Sequence, residues 1–198
     1  MLFNSAELPD KSLPGFIARA KADGKKMSYS SAGVGTSSHL LAAIFLQQAG
    51  LDLVHVPYKG GAAALPDVLT GRVDMGMDVH LVGGSYVKSG KLKALAVSST
   101  TRLAAAPDVP TFAEQGLRDV VFYGWLALFA PAGTPPDVLN RLSDALQTAV
   151  ASKELGDRYR DNGMEPMVMS SDEFNQVIKT TTVKMNKLVN ELQLPKQD

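Results

Sequence analysis

The 198-residue sequence predicts an α/β fold in which a mostly parallel sheet is covered by helices on both faces. Two observations support this fold class. Short, nearly continuous apolar runs are typical of strands that are buried on both faces, as the strands of parallel sheets are. These runs alternate with segments of helical period, which is typical of parallel strands joined by right-handed helical crossovers.

The predicted strands are five apolar runs and a weaker sixth. They cover residues 27–30, 53–56, 73–77, 94–97 and 124–129, with the weaker run at 166–169. Beyond Pro131 the alternation of strand and helix gives way to helix. This change places a boundary between two lobes near residues 120–129.

Six segments are predicted helices, most of them because their apolar residues recur every three or four positions. They cover residues 12–22, 37–48, 63–70, 82–89, 135–151 and 171–192. The third and fourth segments are followed by Gly71 and Gly90, and glycine commonly ends a helix. The fifth begins with Pro135 and Pro136, and proline is well tolerated in the first turn of a helix.

The composition excludes several classes of function. The 20 Lys and Arg residues are balanced by 20 Asp and Glu residues, so no positive field recruits nucleic acid or an anionic membrane. The lack of cysteine excludes disulfides, thiol catalysis and thiolate metal sites. No apolar run is long enough to span a bilayer, and the first ten residues do not form a signal peptide.

The first candidate binding loop joins the predicted strand 27–30 to the helix 37–48. Two glycines in it, two positions apart, allow the backbone to approach a ligand closely. Its candidate donors are Ser31, Ala32, Gly33, Val34, Gly35, Thr36 and Ser37. The loop lacks the third glycine of a dinucleotide site and the lysine of a P-loop. A tight turn followed by a helix N-cap explains the same residues equally well.

The second candidate loop follows the predicted strand 53–56. Two glycines form the turn and small residues open the next helix, so bare backbone amides would point into a cleft. The candidate residues are Tyr58, Gly60, Gly61, Ala62 and Ala63. Tyr58 fits either a pocket wall or a packed side chain. Lys59 is a candidate positive charge, although an exposed, solvated lysine is the simpler interpretation.

Asp78 is the candidate residue of a third junction, where the predicted strand 73–77 leads into a helix. Its position suits a helix N-cap, and the alternative is that its carboxylate accepts a hydrogen bond from a ligand or a water. In open α/β sheets, ligands bind beyond the carboxyl ends of the strands, where helix N-termini point free N–H groups outward. With few Arg or Lys residues nearby, such amides favour a carboxylate over a polyphosphate.

Four blocks of sequence, in this order, resemble one protein family. They are YSSAGVGTSSHL at 29–40, VHVPYKGGAAALPDVLTGRVDMGMD at 54–78, GKLKALAVSSTTRLAAAPDVPTFAEQGL at 90–117 and WLALFAPAGTPPDVLNRL at 125–142. These blocks are similar to signature segments of the tripartite tricarboxylate transporter receptors, also called the Bug family. The resemblance extends from about Leu2 to the C-terminus, and the four blocks together are specific to that family.

The resemblance implies a periplasmic-binding-protein-like fold of two α/β lobes that close on a ligand. It implies a periplasmic receptor, not an enzyme, that needs no cofactor or metal. Its ligand would be a di- or tricarboxylate, an amino acid or an aromatic acid, handed to a membrane permease. Residues 31–38 correspond to a family loop that holds the ligand carboxylate, residues 58–63 to the opposite end of the pocket, and Asp78 to a position near the ligand.

The sequence also departs from the family pattern. Ser30 and Ala32 stand where the family has Gly and Pro, which preserves the backbone donors but alters the rigidity of the loop. The family's opening glycine-rich loop and first β–α units do not precede Met1. Residues 5–119 then correspond to the second lobe and residues 120–198 to the C-terminal part of an N-terminally truncated first lobe. Exposed strand edges of that lobe are expected to pair with a second copy, giving a homodimer.

Two other functions stay open on the residues alone. One is an α/β hydrolase or transferase, although Gly-x-Ser-x-Gly is lacking and His39, His55 and His80 do not have metal-ligand spacing. The other is a truncated fragment that binds no ligand and acts as an interaction module. The histidines have simpler interpretations: His39 as a cap or packing residue, His55 as buried and hydrogen-bonded in a strand, and His80 at a helix start.

Overall fold

The computed structural model describes residues 1–191, which divide into two compact units. The first unit is Met1–Tyr123 and the second begins at Gly124. Leu192, which the sequence places at the end of the last helix, lies outside the described residues. The correspondence of residues 5–119 and 120–198 to two receptor lobes stays a prediction.

The first unit is built on a sheet of strand order β3–β2–β4–β1–β5. Its strands are β1 (Leu2–Ser5), β2 (Ser28–Ser31), β3 (Val54–Pro57), β4 (Met75–Met77) and β5 (Leu92–Ala96). β2 pairs in parallel with β3 and β4, whereas β1 lies antiparallel between β4 and β5. The prediction of a mostly parallel sheet is confirmed, with one antiparallel strand inside it.

The helices of the first unit begin and end within two residues of their predicted bounds. They are α1 (Leu13–Asp23), α2 (Ser37–Ala49), α3 (Gly61–Leu69) and α4 (His80–Lys88). The Ser12 hydroxyl accepts the Gly15 N–H at 3.2 Å and so caps α1. Gly50, at a φ of 64°, ends α2 in the left-handed conformation that other residues adopt at a cost.

Strand β1 is the element of the sheet that the sequence does not predict. Two of its four residues, Asn4 and Ser5, are polar and yet fully buried. The Ser5 hydroxyl donates to the Leu69 carbonyl at 2.8 Å, and the Asn4 amide donates to Asp10 at 3.1 Å. Because these partners come from other elements, the local pattern of residues gives no sign of a buried strand.

Phe3 of β1 anchors the core of the first unit. Its ring is 2% exposed and lies against the backbone of Gly76 in β4 and Gly83 in α4. A Cβ atom at Gly76 would come within 2.3 Å of the ring, so glycine is required to make room for it. The ring belongs to a buried cluster with Met1, Leu65, Val68, Val73, Leu92, Val97, Ala106 and Val109.

A charged network joins α1 to the sheet. The Arg19 guanidinium donates to both oxygens of the Asp10 carboxylate, at 2.7–3.1 Å, and to Asp74 at 2.8 Å. Asp74 also accepts the Ser28 N–H at the start of β2, at 2.9 Å. The Asp10 side chain is only 3% exposed, and the hydrogen bond from Arg19 to Asp10 raises the pKa of Arg19 further above its ordinary value. Asp10 is therefore a buried charge that depends on Arg19.

The second unit is helical in its described part. Its helices are α5 (Pro136–Ala151), α6 (Lys153–Asp161) and α7 (Ser171–Glu191). α7 starts at a capping box, in which the Ser170 N–H donates to Glu173 at 2.7 Å and the Ser170 hydroxyl accepts the Glu173 N–H at 3.3 Å. α6 is not predicted because its sequence is mostly charged. Ser152 caps it and Lys153 pairs with Asp157 one turn along.

The predicted strands at 124–129 and 166–169 are wrong, since neither run has regular structure. A strand needs a neighbour for its backbone N–H and C=O groups, and within residues 124–191 the second unit contains no strand. Apolar side chains of this unit are consequently exposed, among them Leu126, Leu128, Phe129, Leu142 and Met167. Among residues 1–191, no helix combines the length and the apolar character needed to cross a membrane.

Candidate functional site

The three predicted junctions meet at one edge of the sheet. β3, β2 and β4 are adjacent and parallel, so their last residues, Pro57, Ser31 and Met77, lie side by side. α2, α3 and α4 begin a few residues later, at Ser37, Gly61 and His80. We call this edge the binding rim, defined by residues 31–39, 58–63 and 78–81.

Residues 32–36, the first loop of the rim, are held by hydrogen bonds within the loop. The Ser38 hydroxyl accepts the Ala32 N–H at 2.8 Å, and the Ser31 hydroxyl accepts the Gly33 N–H at 3.2 Å. The Thr36 hydroxyl donates to the Gly33 carbonyl at 2.7 Å. Thr36 therefore occupies the N-cap position of α2 without capping it through its side chain.

Two stacked histidines lie behind this loop. His39 is 3% exposed, and its Nδ1 accepts the Gly35 N–H at 3.1 Å. Its ring stacks on that of His55 at a centroid distance of 4.2 Å and an angle of 4°. His55 Nε2 lies 2.7 Å from the Ser31 hydroxyl, and its other face stacks on Tyr29 at 4.7 Å. His39 thus caps and packs, as predicted, whereas His55 is hydrogen-bonded in a strand but only partly buried.

The second loop is joined directly to the first. The Tyr58 N–H donates to the Ser31 carbonyl and the Gly60 N–H to the Ala32 carbonyl, each at 3.1 Å. A Cβ atom at Gly33 would lie 3.3 Å from the Tyr58 carbonyl oxygen, so the two loops pack closely. Gly60 takes a φ of 100°, which a residue with a side chain rarely adopts, and it precedes the first turn of α3.

The Tyr58 side chain is held by contacts within the first unit. The hydroxyl donates to Asp67 on α3 at 2.7 Å, and the ring packs against the core of the first unit. Burial, reinforced by the bond to Asp67, raises the pKa of Tyr58 to about 12. Of the two interpretations from the sequence, the structure therefore favours a packed side chain. Lys59 is exposed.

Asp78 lies where the second and third junctions meet. A Cβ atom at Gly61 would come within 1.9 Å of Asp78 Oδ2, so the carboxylate sits against the first residue of α3. The N-cap of α4 is Val79 rather than Asp78, which corrects the first interpretation of the sequence. Asp78 Oδ1 instead accepts the adjacent Val79 N–H at 2.7 Å. Burial raises the pKa of Asp78.

Several rim amides donate no hydrogen bond to any residue in the described range 1–191. They belong to Val34, Ser37, Ser38 and His39 at α2, to Lys59, Gly61 and Ala62 at α3, and to His80 and Leu81 at α4. The first amides of a helix have no partner inside it, and they carry the positive end of the helix dipole. Three such helix ends lie at this edge, and the Asp78 carboxylate lies beside the one that begins α3.

The predicted site residues differ in whether their backbone amides are hydrogen-bonded within the protein. Val34, Ser37, Gly61 and Ala62 have free amides, whereas the amides of Ala32, Gly33, Gly35, Thr36, Gly60 and Ala63 hold the loops. The sequence did not predict the free amides of His80 and Leu81. The acidic residue Asp78, between a strand and a helix, does mark that junction. The sequence also did not predict the stacking of His39 on His55, which depends on the packing of α2 beside β3.

The sequence matches the tripartite tricarboxylate transporter family of receptors over residues 1–194. The chain belongs to this family. Among curated proteins, it is 33% identical over 179 residues to a UPF0065 protein in the tcbD–tcbE intergenic region of Pseudomonas sp. strain P51. It is 31% identical over 173 residues to BugT of Bordetella pertussis. The alignments cover 90% and 87% of this chain but 53% of each relative, so the chain spans about half the length of these relatives.

Solved structures of the receptor type share the fold. The periplasmic binding protein BugD superposes with a TM-score of 0.92 at 28% identity, over 99% of this chain and 66% of BugD. Rpa4515 of R. palustris, solved with adipate, gives 0.94 at 25% identity over 98% and 65% of the two chains. MatC of Rhodopseudomonas palustris, solved with malate, gives 0.85 at 25% identity over 96% and 65%. The family is one of solute receptors and not of enzymes, as the sequence predicts.

Proposed function

We propose that this chain binds a small carboxylate at the binding rim, as part of an extracytoplasmic receptor that delivers its ligand to a tripartite tricarboxylate transporter. The observation that supports the proposal most directly is the set of free amides at the starts of α2, α3 and α4. A carboxylate accepts hydrogen bonds from such amides and is attracted by the helix dipoles. The adipate and malate in the related structures are of the same chemical class.

The periplasmic location and the permease partner follow from the family. Both belong to the proposal, because this chain spans about half of the curated receptors that it matches. The ligand class is a di- or tricarboxylate, an amino acid or an aromatic acid. The alternative is a fragment that binds nothing and serves as an interaction module, and ligand titration separates the two.

Adipate and malate are expected to bind at the rim of this chain. Titration of the ¹⁵N-labelled protein should shift the amide resonances of Val34, Ser37, Gly61 and Ala62, and dimethyl adipate, which lacks the charges, should not. Binding by one part of a receptor is expected to be weak because closure of a second lobe adds desolvation and further hydrogen bonds. Shifts spread evenly over the chain, or none at saturating acid, would contradict the proposal.

The variant that tests the geometry of the rim is Gly61→Ala. Its methyl group would overlap the Asp78 carboxylate, so either this carboxylate or the start of α3 must shift, and affinity for the acid should fall by at least about tenfold, or ~1.4 kcal/mol. The matched control is Gly15→Ala in α1, where the new Cβ would lie 3.4 Å from the Ser12 hydroxyl oxygen, an ordinary contact. If both variants bound the acid with equal affinity, the proposal that the acid binds at the rim would be refuted.

The homodimer expected from exposed strand edges lacks that basis within residues 124–191, which contain no strand. We propose instead that two copies pair through the apolar stripe on α5. Val138, Leu139, Leu142 and Leu146 are 38–57% exposed on one side of this helix. Sedimentation velocity should show dimerisation that increases with concentration, and Leu142→Glu should abolish it. Asn140→Glu adds the same charge on the opposite side of α5 and should leave it unchanged. A monomer at every concentration would refute self-association without bearing on ligand binding.

A further inference from the structure

Two histidine side chains behind the first loop of the rim are hydrogen-bonded to residues of the loop and hold its conformation. Residues 32–36 form a partly buried turn in which Gly33 and Gly35 have positive φ angles of 131° and 75°. Glycine in such a turn is conformationally free, so a defined position of the Val34 and Ser37 amides needs outside support. That support comes from His39 and His55.

We infer that His39 and His55 are positioning residues, which hold residues 32–36 in the shape that presents the free amides of the first loop. The inference rests on the proposed function in one respect, that this loop is part of the ligand site. Neither histidine is placed against the ligand, and each acts through a group of the loop. His39 Nδ1 accepts the Gly35 N–H, and His55 Nε2 contacts the Ser31 hydroxyl, which itself bonds both the N–H and the C=O of Gly33.

The arrangement requires a neutral His39. An imidazole that accepts a hydrogen bond at Nδ1 carries its proton on Nε2, and protonation of Nδ1 would turn the acceptor into a donor that faces the Gly35 N–H. The parallel stack of the two rings also disfavours a charge on either of them. Burial lowers the pKa of His39, and burial together with the charge of His39 lowers the pKa of His55 to about 4. In the described part of the chain, the titratable groups that face the two rings are each other and the Tyr29 phenol.

The sign of the pH effect follows from these shifts. The unfolded chain takes up protons on its histidines near pH 6.5, whereas the folded chain does so only at lower pH. The unfolded state therefore binds more protons than the folded state below about pH 6.5. As a result, the two histidines lower the free energy of unfolding as the pH falls toward 4. The order of the first loop should decline at a pH below 6.5, because the Gly35 hydrogen bond is lost when His39 becomes charged.

The test uses amide hydrogen exchange at Gly35, which needs no ligand. In His39→Leu, which keeps a buried side chain but has no acceptor, protection of the Gly35 amide should fall about tenfold at pH 7, the effect of one lost hydrogen bond. In His39→Asn, the side-chain oxygen stands near the place of Nδ1 and does not titrate. Protection should therefore return, and the part of the low-pH decline that His39 causes should disappear.

A second readout separates this inference from the proposed function. Adipate is titrated into each variant, and His39→Leu should weaken its binding about tenfold while His39→Asn restores it. Unchanged Gly35 protection in His39→Leu, or an identical pH profile in His39→Asn and the unaltered protein, would overturn the inference. Protection that responds as expected, in a protein that binds neither adipate nor malate, would leave the positioning role standing and refute the carboxylate site instead.

Discussion

Replacement of Phe3 by alanine is expected to destabilise the first unit by about 3–5 kcal/mol, the usual cost of deleting a buried phenylalanine ring. The ring is 2% exposed and fills the space left by Gly76 and Gly83. The two glycines have no side chains that could close the cavity. Phe3 also lies in the strand that joins β4 to β5, so the loss is felt on both sides of the sheet.

The measurement is urea unfolding followed by circular dichroism, with hydrogen–deuterium exchange of the peptides from β2 to β4. Trp125 fluorescence provides an independent probe, because this tryptophan belongs to the second unit. Val54→Ala is the matched control, since this strand residue is 52% exposed and should cost less than about 1 kcal/mol. A loss of that small size for Phe3→Ala would mean that β1 is not part of the core.

Arg19→Met is expected to destabilise the first unit by about 3 kcal/mol or more. Methionine retains much of the apolar length of the side chain but removes the hydrogen bonds to Asp10 and Asp74. Asp10 would then keep one hydrogen bond, from the Asn4 amide, and the attraction of the Lys93 charge, while its side chain stays 3% exposed. Removing one member of a buried ion pair leaves an uncompensated charge, which is costly.

Arg102→Met is the control for this prediction. Arg102 pairs with Glu114 at 3.0 Å, and both side chains are 45% exposed, so solvent screens the pair. Its loss should cost at most about 1 kcal/mol in the same urea experiment. Equal losses of stability in the two variants would contradict the prediction and would mean that the buried Asp10 carboxylate does not depend on Arg19.

Much of the fold follows from local pattern. The helices α1–α5 and α7 and four of the five strands are predictable because each carries an apolar face or run that one neighbouring layer buries, together with a turn residue at its end. Gly50 and Ser12 are examples of such end signals. α6 has no apolar period, and its stability depends on Ser152 and on ion pairs that a hydrophobic pattern does not record.

The predicted strand at 124–129 fails for a related reason. Its apolar run has the composition of a strand, but hydrogen bonds to a neighbouring strand decide whether a strand forms. Whether this run forms a strand depends on which residues lie beside Trp125 and Leu128, and the composition of the run does not predict that. The same limit applies in reverse to β1, where polar Asn4 and Ser5 belong to a strand because the sheet and Asp10 supply their partners.

The sequence by itself determined that the chain is an α/β protein of the tripartite tricarboxylate transporter receptor family, with glycine-bearing turns before three helices. Composition, periodicity and turn residues are local properties, and they can be recognised from the sequence alone. The tertiary structure alone decided which amides of those turns are free, that Asp78 sits against Gly61, and that His39 stacks on His55. These relations join residues from different helices, strands and loops, and the packing of α2, α3 and α4 against the sheet sets them.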